Sequence, residues 1–265
     1  MYDYPIIYAD QDFIVIDKPA GVPSAPLRPD DTENALQQAI ERFPDMAGVT
    51  GRKPVEHGLV HRIDTATRGL LLIARTQNAY DAFQRIQAEN RFFKEYEATC
   101  RQLTVCEETR SGFPPLPENV ARSIARLRLG AEAVSFSVQS AFRFYGEGRT
   151  SVRPVTELAS KFARKKSGDS IYTTEIVLSC ISKDTVLAKC RISKGFRHQV
   201  RCHLAWCGVP VADDSLYAPA LPETGAERLL QFYATALEFP HPSSGVPLRI
   251  ELKQPPSGYT EIGGN

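Results

Sequence analysis

The most constraining feature of the chain is the stretch HGLVHRIDTATRGLLLIARTQ at residues 57–77. Its run Leu70-Leu71-Leu72-Ile73-Ala74 is too apolar to face solvent and reads as a buried strand. Just ahead lies a polar loop in which His61, Arg62 and Asp64 fall within four residues. An acid, a base and a histidine at the mouth of a core strand belong where a sheet opens onto a cleft. A carboxylate there needs a cation or hydrogen bonds to stay ionised. A loop aspartate is most often a turn former or helix cap. The strand behind Asp64 is what makes it a candidate for chemistry.

The rest of the chain supplies strands and helices in no strict alternation. DFIVIDKPAGVPSAP predicts a strand over 13–16 and then a Pro/Gly turn. DDTENALQQAIERF reads as a helix capped by Asp31 or Thr32, and residues 44–56 read as a loop. Thr76 or Asn78 starts a second helix carrying Ala79, Phe83 and Ile86 at helical spacing. RFFKEYEATC alternates, which puts Lys94, Tyr96 and Ala98 on one strand face. Residues 107–130 give no clear pattern, and 173–193 read as a hairpin around Ser182-Lys183-Asp184. FRHQVRCHLAWCG predicts a helix ending at Gly208. Together these imply an α+β protein with a mixed sheet. Without repeats or a low-complexity linker, residues 1–265 read as one catalytic-size domain.

Composition narrows the class further. No run of about 18 apolar residues exists, and the opening MYDYPIIYADQDF lacks the pattern of a secretory signal. Six cysteines at 100, 106, 180, 190, 202 and 207 have no CxxC spacing, so free thiols and the cytoplasm are expected. Net charge is only +1, but residues 149–201 hold twelve Lys/Arg against four acids, a local +8. Such a stretch suits a polyanion, although a solvated basic surface gives the same count.

On the 196–208 helix, successive residues advance by about 100 degrees. Val200, Leu204 and Cys207 fall on the buried face. Arg201 falls on its edge, able to lay its stem on the core and send its guanidinium into a cleft. His198 and Cys202 point away from His203 and Cys207, so the four cannot hold one metal ion, and no metal is expected. Tyr96 is either a half-buried core residue or a platform for a flat ligand.

These segments resemble the RluA-type RNA pseudouridine synthases. HRIDTATRGLLLIA is similar to that family's H-R-L-D-x-x-T-S-G-L-L-L-x-A signature, and KEYEA to its K-x-Y-x-A strand. GFRHQVRCHLAWCGVPVADDSLYA is similar to G-R-x-H-Q-I-R-x-H-L-x-x-x-G-x-P-I-x-G-D-x-L-Y-G. IIYADQDFIVIDKPAGVPSAP and LEFPHPSSG resemble its opening and closing segments. The five matches come in family order from residue 6 to about 245.

The resemblance implies the pseudouridine-synthase fold: a mixed, mainly antiparallel sheet flanked by helices and loops, with an active-site cleft across it. No N-terminal S4 RNA-binding domain is expected. Asp64 matches the catalytic aspartate. Tyr96 matches the tyrosine that stacks on the target base and is implicated in removing its C5 proton. Arg201 matches the basic residue that ion-pairs with the aspartate. Val200 matches a pocket-lining aliphatic residue, and Arg62 the arginine that enters the gap left by a flipped base. His61, Lys94 and His198, inside the matched motifs, are read as further substrate-binding residues. The aspartate attacks ribose C1′, attacks uracil C6 or removes a ribose proton; sequence does not choose among these.

The implied partner is a stem-loop of rRNA or tRNA, bound by a monomer with no cofactor. Four positions depart from the pattern. The family serine is Arg68, the arginine of G-R-x-H is Phe196 with Arg197 beside it, and the glycines of G-D-x-L-Y-G are Asp213 and Ala218. Two alternatives are a catalytically inactive RNA-binding relative and an unrelated hydrolase that pairs Asp64 with a histidine.

Overall fold

A computed structural model describes residues 4–26, 28, 30–101, 112–218 and 229–253. Cys106 lies outside the described residues. The chain divides into two compact units, Met1–Lys94 with Tyr233–Asn265, and Glu95–Phe232. The boundaries fall inside strands β4 (Phe93–Arg101) and β9 (Phe232–Pro240).

The first unit is built on β1 (Ile6–Ala9), β2 (Phe13–Lys18), β3 (Arg68–Ala74) and β9, in that spatial order, with β10 (Pro247–Glu251) paired to β9. β2 and β3 are antiparallel from Phe13↔Ala74 to Lys18↔Gly69, and β3 runs parallel to β9. All six residues of β2 and six of the seven in β3 are buried, as the apolar run at 70–74 predicts. One set of their side chains packs against α2 (Gln77–Ala88), which presents Ala79, Tyr80, Phe83 and Ile86 at helical spacing. The ring of Phe83 lies edge-on to Phe13 at 5.3 Å and to Phe239 at 5.3 Å between centroids. Ile14 and Ile16, of the alternate set, line a small cavity with Ala39 of α1 (Ala35–Arg42).

Three local expectations change here. β2 continues through Asp17 and Lys18, because both polar residues find partners in the interior. Helix α1 is capped by Asn34, whose side chain accepts from Gln37 N, while Asp31 accepts from Arg28 N one turn earlier. Residues 44–56 contain two 3-10 turns, Pro44–Gly48 and Pro54–Glu56, each opened by a proline whose missing N–H costs nothing there.

The second unit is a sheet in the order β4, β8 (Thr185–Ile192), β7 (Tyr172–Cys180), β5 (Ala133–Tyr145), β6 (Ser151–Val155). β7 and β8 form the predicted hairpin. The thirteen-residue β5 pairs with β7 from Ala133 to Ser140 and with β6 from Ala141 to Tyr145. Helix α3 (Glu118–Arg128) lies within the stretch that gave no pattern, of which residues 107–111 are outside the described residues, and α4 (Lys161–Lys165) is a short basic turn. Helix α5 (Gln199–Trp206) starts three residues later than predicted because His198 takes a left-handed backbone, φ 55°. All eight of its residues are buried, so it has no exposed face at all. Its His203 is held between the hydroxyls of Ser140 (2.9 Å) and Thr174 (2.8 Å).

Phe83→Ala, which empties the centre of the α2 face, is expected to destabilise the protein by about 3–5 kcal/mol in urea denaturation. A cost below about 1 kcal/mol would contradict this packing.

Candidate active site

In the first unit, the Asp64 loop is tied to the Lys-Pro turn by backbone and side-chain bonds. Lys18, the last residue of β2, is fully buried. Its ammonium donates to the carbonyls of Val22 (2.7 Å), Pro19 (2.8 Å) and Thr65 (3.2 Å). Gly21 N donates to the same Thr65 carbonyl at 2.8 Å. Ser24 Oγ donates to Ile63 O at 2.7 Å and accepts from Ile63 N at 3.2 Å. Thr67 N closes the turn onto Asp64 O at 3.0 Å. Burial pulls the Lys18 ammonium down to about 8, opposed by the charges of Asp64 and then Asp17. Lys18 therefore holds the loop in place and sets a positive charge in the field of Asp64. It was not singled out in the sequence, although a lysine ending an otherwise buried strand before a proline is a visible anomaly.

His61 is buried, and its Nε2 accepts from Leu72 N at 3.2 Å, which leaves the proton on Nδ1. Burial, and then the charge of Lys94, lower its pKa to about 3. It is a neutral core histidine and no base for Asp64, which removes the support for the hydrolase alternative. Lys94 is buried with its ammonium 5.8 Å from the centre of the Phe92 ring, and burial lowers it to about 8. Arg62 is exposed and ion-pairs with Glu56 at 3.2 Å. Arg68, where the family has serine, donates to Asp17 through Nη2 at 2.8 Å. Gly69 has φ +129°, and a Cβ there would clash with Ala234 O where β3 meets β9. The G of the motif is thus a packing requirement.

In the second unit, Tyr96 is buried on the Lys94–Ala98 face of β4 and stacks on Phe232 at 5.1 Å. Arg201 makes a bidentate, buried ion pair with Asp214: Nε to Oδ2 at 2.8 Å and Nη2 to Oδ1 at 2.8 Å. Leu216 N also donates to Asp214 Oδ1 at 3.0 Å. Asp214 is the partner of Arg201 that sequence reasoning passed over, although it is the aspartate of the G-D-x-L-Y-G match. The guanidinium of Arg201 lies 5.5 Å from the ring centre of Tyr217. The Tyr217 hydroxyl accepts from Val152 N at 2.9 Å and meets His198 Nδ1 at 3.1 Å. Val200 is buried next to Arg201. Asp213, where the family has glycine, has φ 61°, a conformation aspartate tolerates better than most residues.

The thiols of Cys100, Cys190 and Cys202 are pushed up by burial and are poor nucleophiles. Among the described residues, one group has metal-ligand spacing: Asp10, Asp12 and His241, in the first unit. Its atoms already bond one another and their neighbours. His241 Nε2 meets Asp10 Oδ2 at 2.9 Å, Tyr8 donates to that oxygen, and Ser243 donates to Asp12.

Comparison with known proteins identifies the class. The family profile described as RNA pseudouridylate synthase matches residues 12–206. The chain belongs to that family, in its RluA-type branch, and its reaction is the isomerisation of uridine to pseudouridine in RNA. It is 25% identical over 255 residues to an uncharacterized RNA pseudouridine synthase of Bacillus subtilis, covering 96% of this chain and 70% of that one. It is 26% identical over 261 residues to ribosomal large subunit pseudouridine synthase D of Xanthomonas campestris, covering 94% and 66%. The fold is similar to that of human RNA pseudouridylate synthase domain containing 1. The TM-score is 0.63 at 19% identity, over 96% of this chain and 84% of that one. Among the described residues, no helix is long and apolar enough to cross a membrane.

Asp214→Asn takes a bidentate carboxylate from a buried guanidinium, and a loss of about 3 kcal/mol is expected in urea denaturation. An unchanged midpoint would show that the pair contributes nothing. A second expectation concerns pH. His61 and His203 protonate near 3 in the folded chain but near 6.5 when unfolded, so the unfolded state binds more protons between those values. Stability therefore falls as pH drops from 6.5 toward 3, by up to roughly 1.4 kcal/mol per pH unit for each histidine. Denaturation at stepped pH checks this: His203→Gln should give a shallower slope, and an identical slope would contradict it.

Proposed function

We propose that the chain modifies RNA of the large ribosomal subunit, with Asp64, Tyr96 and Arg201 acting on the same uridine. The RNA class is supported by relatives whose names specify the ribosomal large subunit. The roles are supported by the match of HRIDTATRGLLLIA, KEYEA and the 195–218 segment to the family motifs. The observation that carries the reading is the clamped Asp64 loop. A carboxylate of intermediate exposure, on a turn tied down by a buried lysine and a buried serine, keeps its position when a substrate arrives.

The chemistry follows from the residue types. The C1′–N1 bond of uridine breaks, the uracil turns, and C5 bonds to C1′. The proton lost from C5 is matched by one gained at N1, so composition and oxidation level are unchanged. The Asp64 carboxylate lets the base leave, by attack or by taking a ribose proton. Arg201 supplies the cation that favours the ionised acid, and Tyr96 the flat surface for an unstacked base. Arg62, Lys94, Val200 and His198 serve substrate binding, Lys94 and His198 from within the motifs that carry Tyr96 and Arg201, and buried His61 supports the site by holding Leu72 N behind the loop. Residues 1–265 work as one catalytic domain, as a monomer in the cytoplasm.

The test is to incubate the purified chain with in vitro transcribed large-subunit rRNA and map new pseudouridines, with Asp64→Asn beside it. The wild type is expected to modify defined sites and the variant to be slower by about 10³-fold or more. Tight binding without modification by either would contradict the enzyme and favour an inactive relative.

A further inference from the structure

In the unit formed by Glu95–Phe232, Arg143 of β5 and Arg153 of β6 are direct cross-strand partners. Directly opposed residues project to one face of a sheet, where like charges repel. Between residues 133 and 155, Glu147 is the sole acid against Arg143, Arg149 and Arg153. Both guanidiniums of the pair lie on the ring of Tyr145, at 4.9 Å for Arg143 and 4.3 Å for Arg153. Arg153 also lies 4.5 Å from the ring centre of Phe113 and 5.8 Å from that of Tyr217, which in turn faces Arg201. Cations and rings thus alternate from Arg143 through Tyr145, Arg153 and Tyr217 to Arg201. Exposure falls along this ladder, from half-buried Arg143 and Arg153 to buried Arg201.

The ladder stands on a fixed edge. Arg197 donates to the carbonyls of Arg149 (3.3 Å) and Thr150 (3.2 Å), pinning the turn between β5 and β6. Arg153 Nη1 donates to Val152 O at 2.9 Å and reaches Ser151 Oγ at 3.5 Å. Stacking on a ring holds a guanidinium by its face and keeps its N–H groups in one plane. Two guanidiniums opposed across a strand pair suit an anion, because a phosphodiester between them turns mutual repulsion into attraction.

We propose that Arg143 and Arg153 bind backbone phosphates of the substrate RNA, and that the cation–ring ladder guides the strand toward Arg201. This rests on the reading of the chain as an RNA pseudouridine synthase and specifies where that substrate is gripped.

The experiment measures binding of the full chain to in vitro transcribed large-subunit rRNA across a salt series, together with KM and kcat for pseudouridine formation. For R143Q/R153Q the Kd is expected to rise about 10-fold or more, and the slope of log K against log salt to fall by about 2. The loss falls on KM rather than kcat, and R143K/R153K keeps most of the slope. Thermal unfolding of R143Q/R153Q checks that the variant is folded at the assay temperature. A wild-type slope and KM in the double variant would overturn the clamp while leaving the enzyme intact. Competition of RNA by poly-glutamate at equal charge would overturn it in favour of an acidic protein partner. A wild type that neither binds nor modifies RNA would defeat the enzyme reading itself.

Discussion

The placing of Asp64 depends on one buried ammonium. Lys18 ends a strand whose every residue is buried, and its charge is satisfied by three backbone carbonyls, one of them in the Asp64 turn. A charged group in that position is stable only while those carbonyls are held toward it. The lysine and the two loops therefore fix each other. Its register partner is Gly69, whose backbone closes on Ala234, so the strand opposite cannot shift without a clash. The apolar run at 70–74 makes this possible by filling the interior behind the loop. Rigidity of the loop comes from that packing as much as from the hydrogen bonds.

The second unit solves a similar problem with opposite means. Arg201 sits on a helix with no exposed residue, and a buried guanidinium needs an acid with matching geometry. Asp214 supplies it in bidentate form, with Leu216 N satisfying the same carboxylate. The left-handed backbones at His198 and Asp213 lie just before the two members of this pair. His198 also contacts Tyr217, which bonds β6. Strain near Arg201 is thus tied into the sheet at defined points.

Much of this was legible in the sequence, for physical reasons. The strands at 70–74 and 93–101 and the helix from Thr76 announce themselves by period and cap. Asp64, Tyr96 and Arg201 were reached through motifs, yet their partners were not. Lys18 and Asp214 are buried polar residues whose value lies in three-dimensional contacts, and no periodicity marks those. The wheel for 196–208 gave Arg201 an edge because it assumed a solvent-facing side, which α5 lacks. The departures are explained locally. Arg68 pairs with Asp17, and Phe196 stacks on Phe142 at 5.1 Å, taking an aromatic role in place of a basic one. Arg153 counts in the basic 149–201 stretch, but its pairing with Arg143 across β5 and β6 was not legible, because register between strands is invisible in one sequence.

The most direct test of the central claim is a nucleoside balance. RNA incubated with the protein is digested completely, and uridine, pseudouridine and free uracil are quantified. The account predicts that uridine lost equals pseudouridine gained, with the mass of the RNA unchanged and no uracil released. Free uracil, a change in RNA mass, or uridine left intact under conditions where the protein binds its RNA would contradict it.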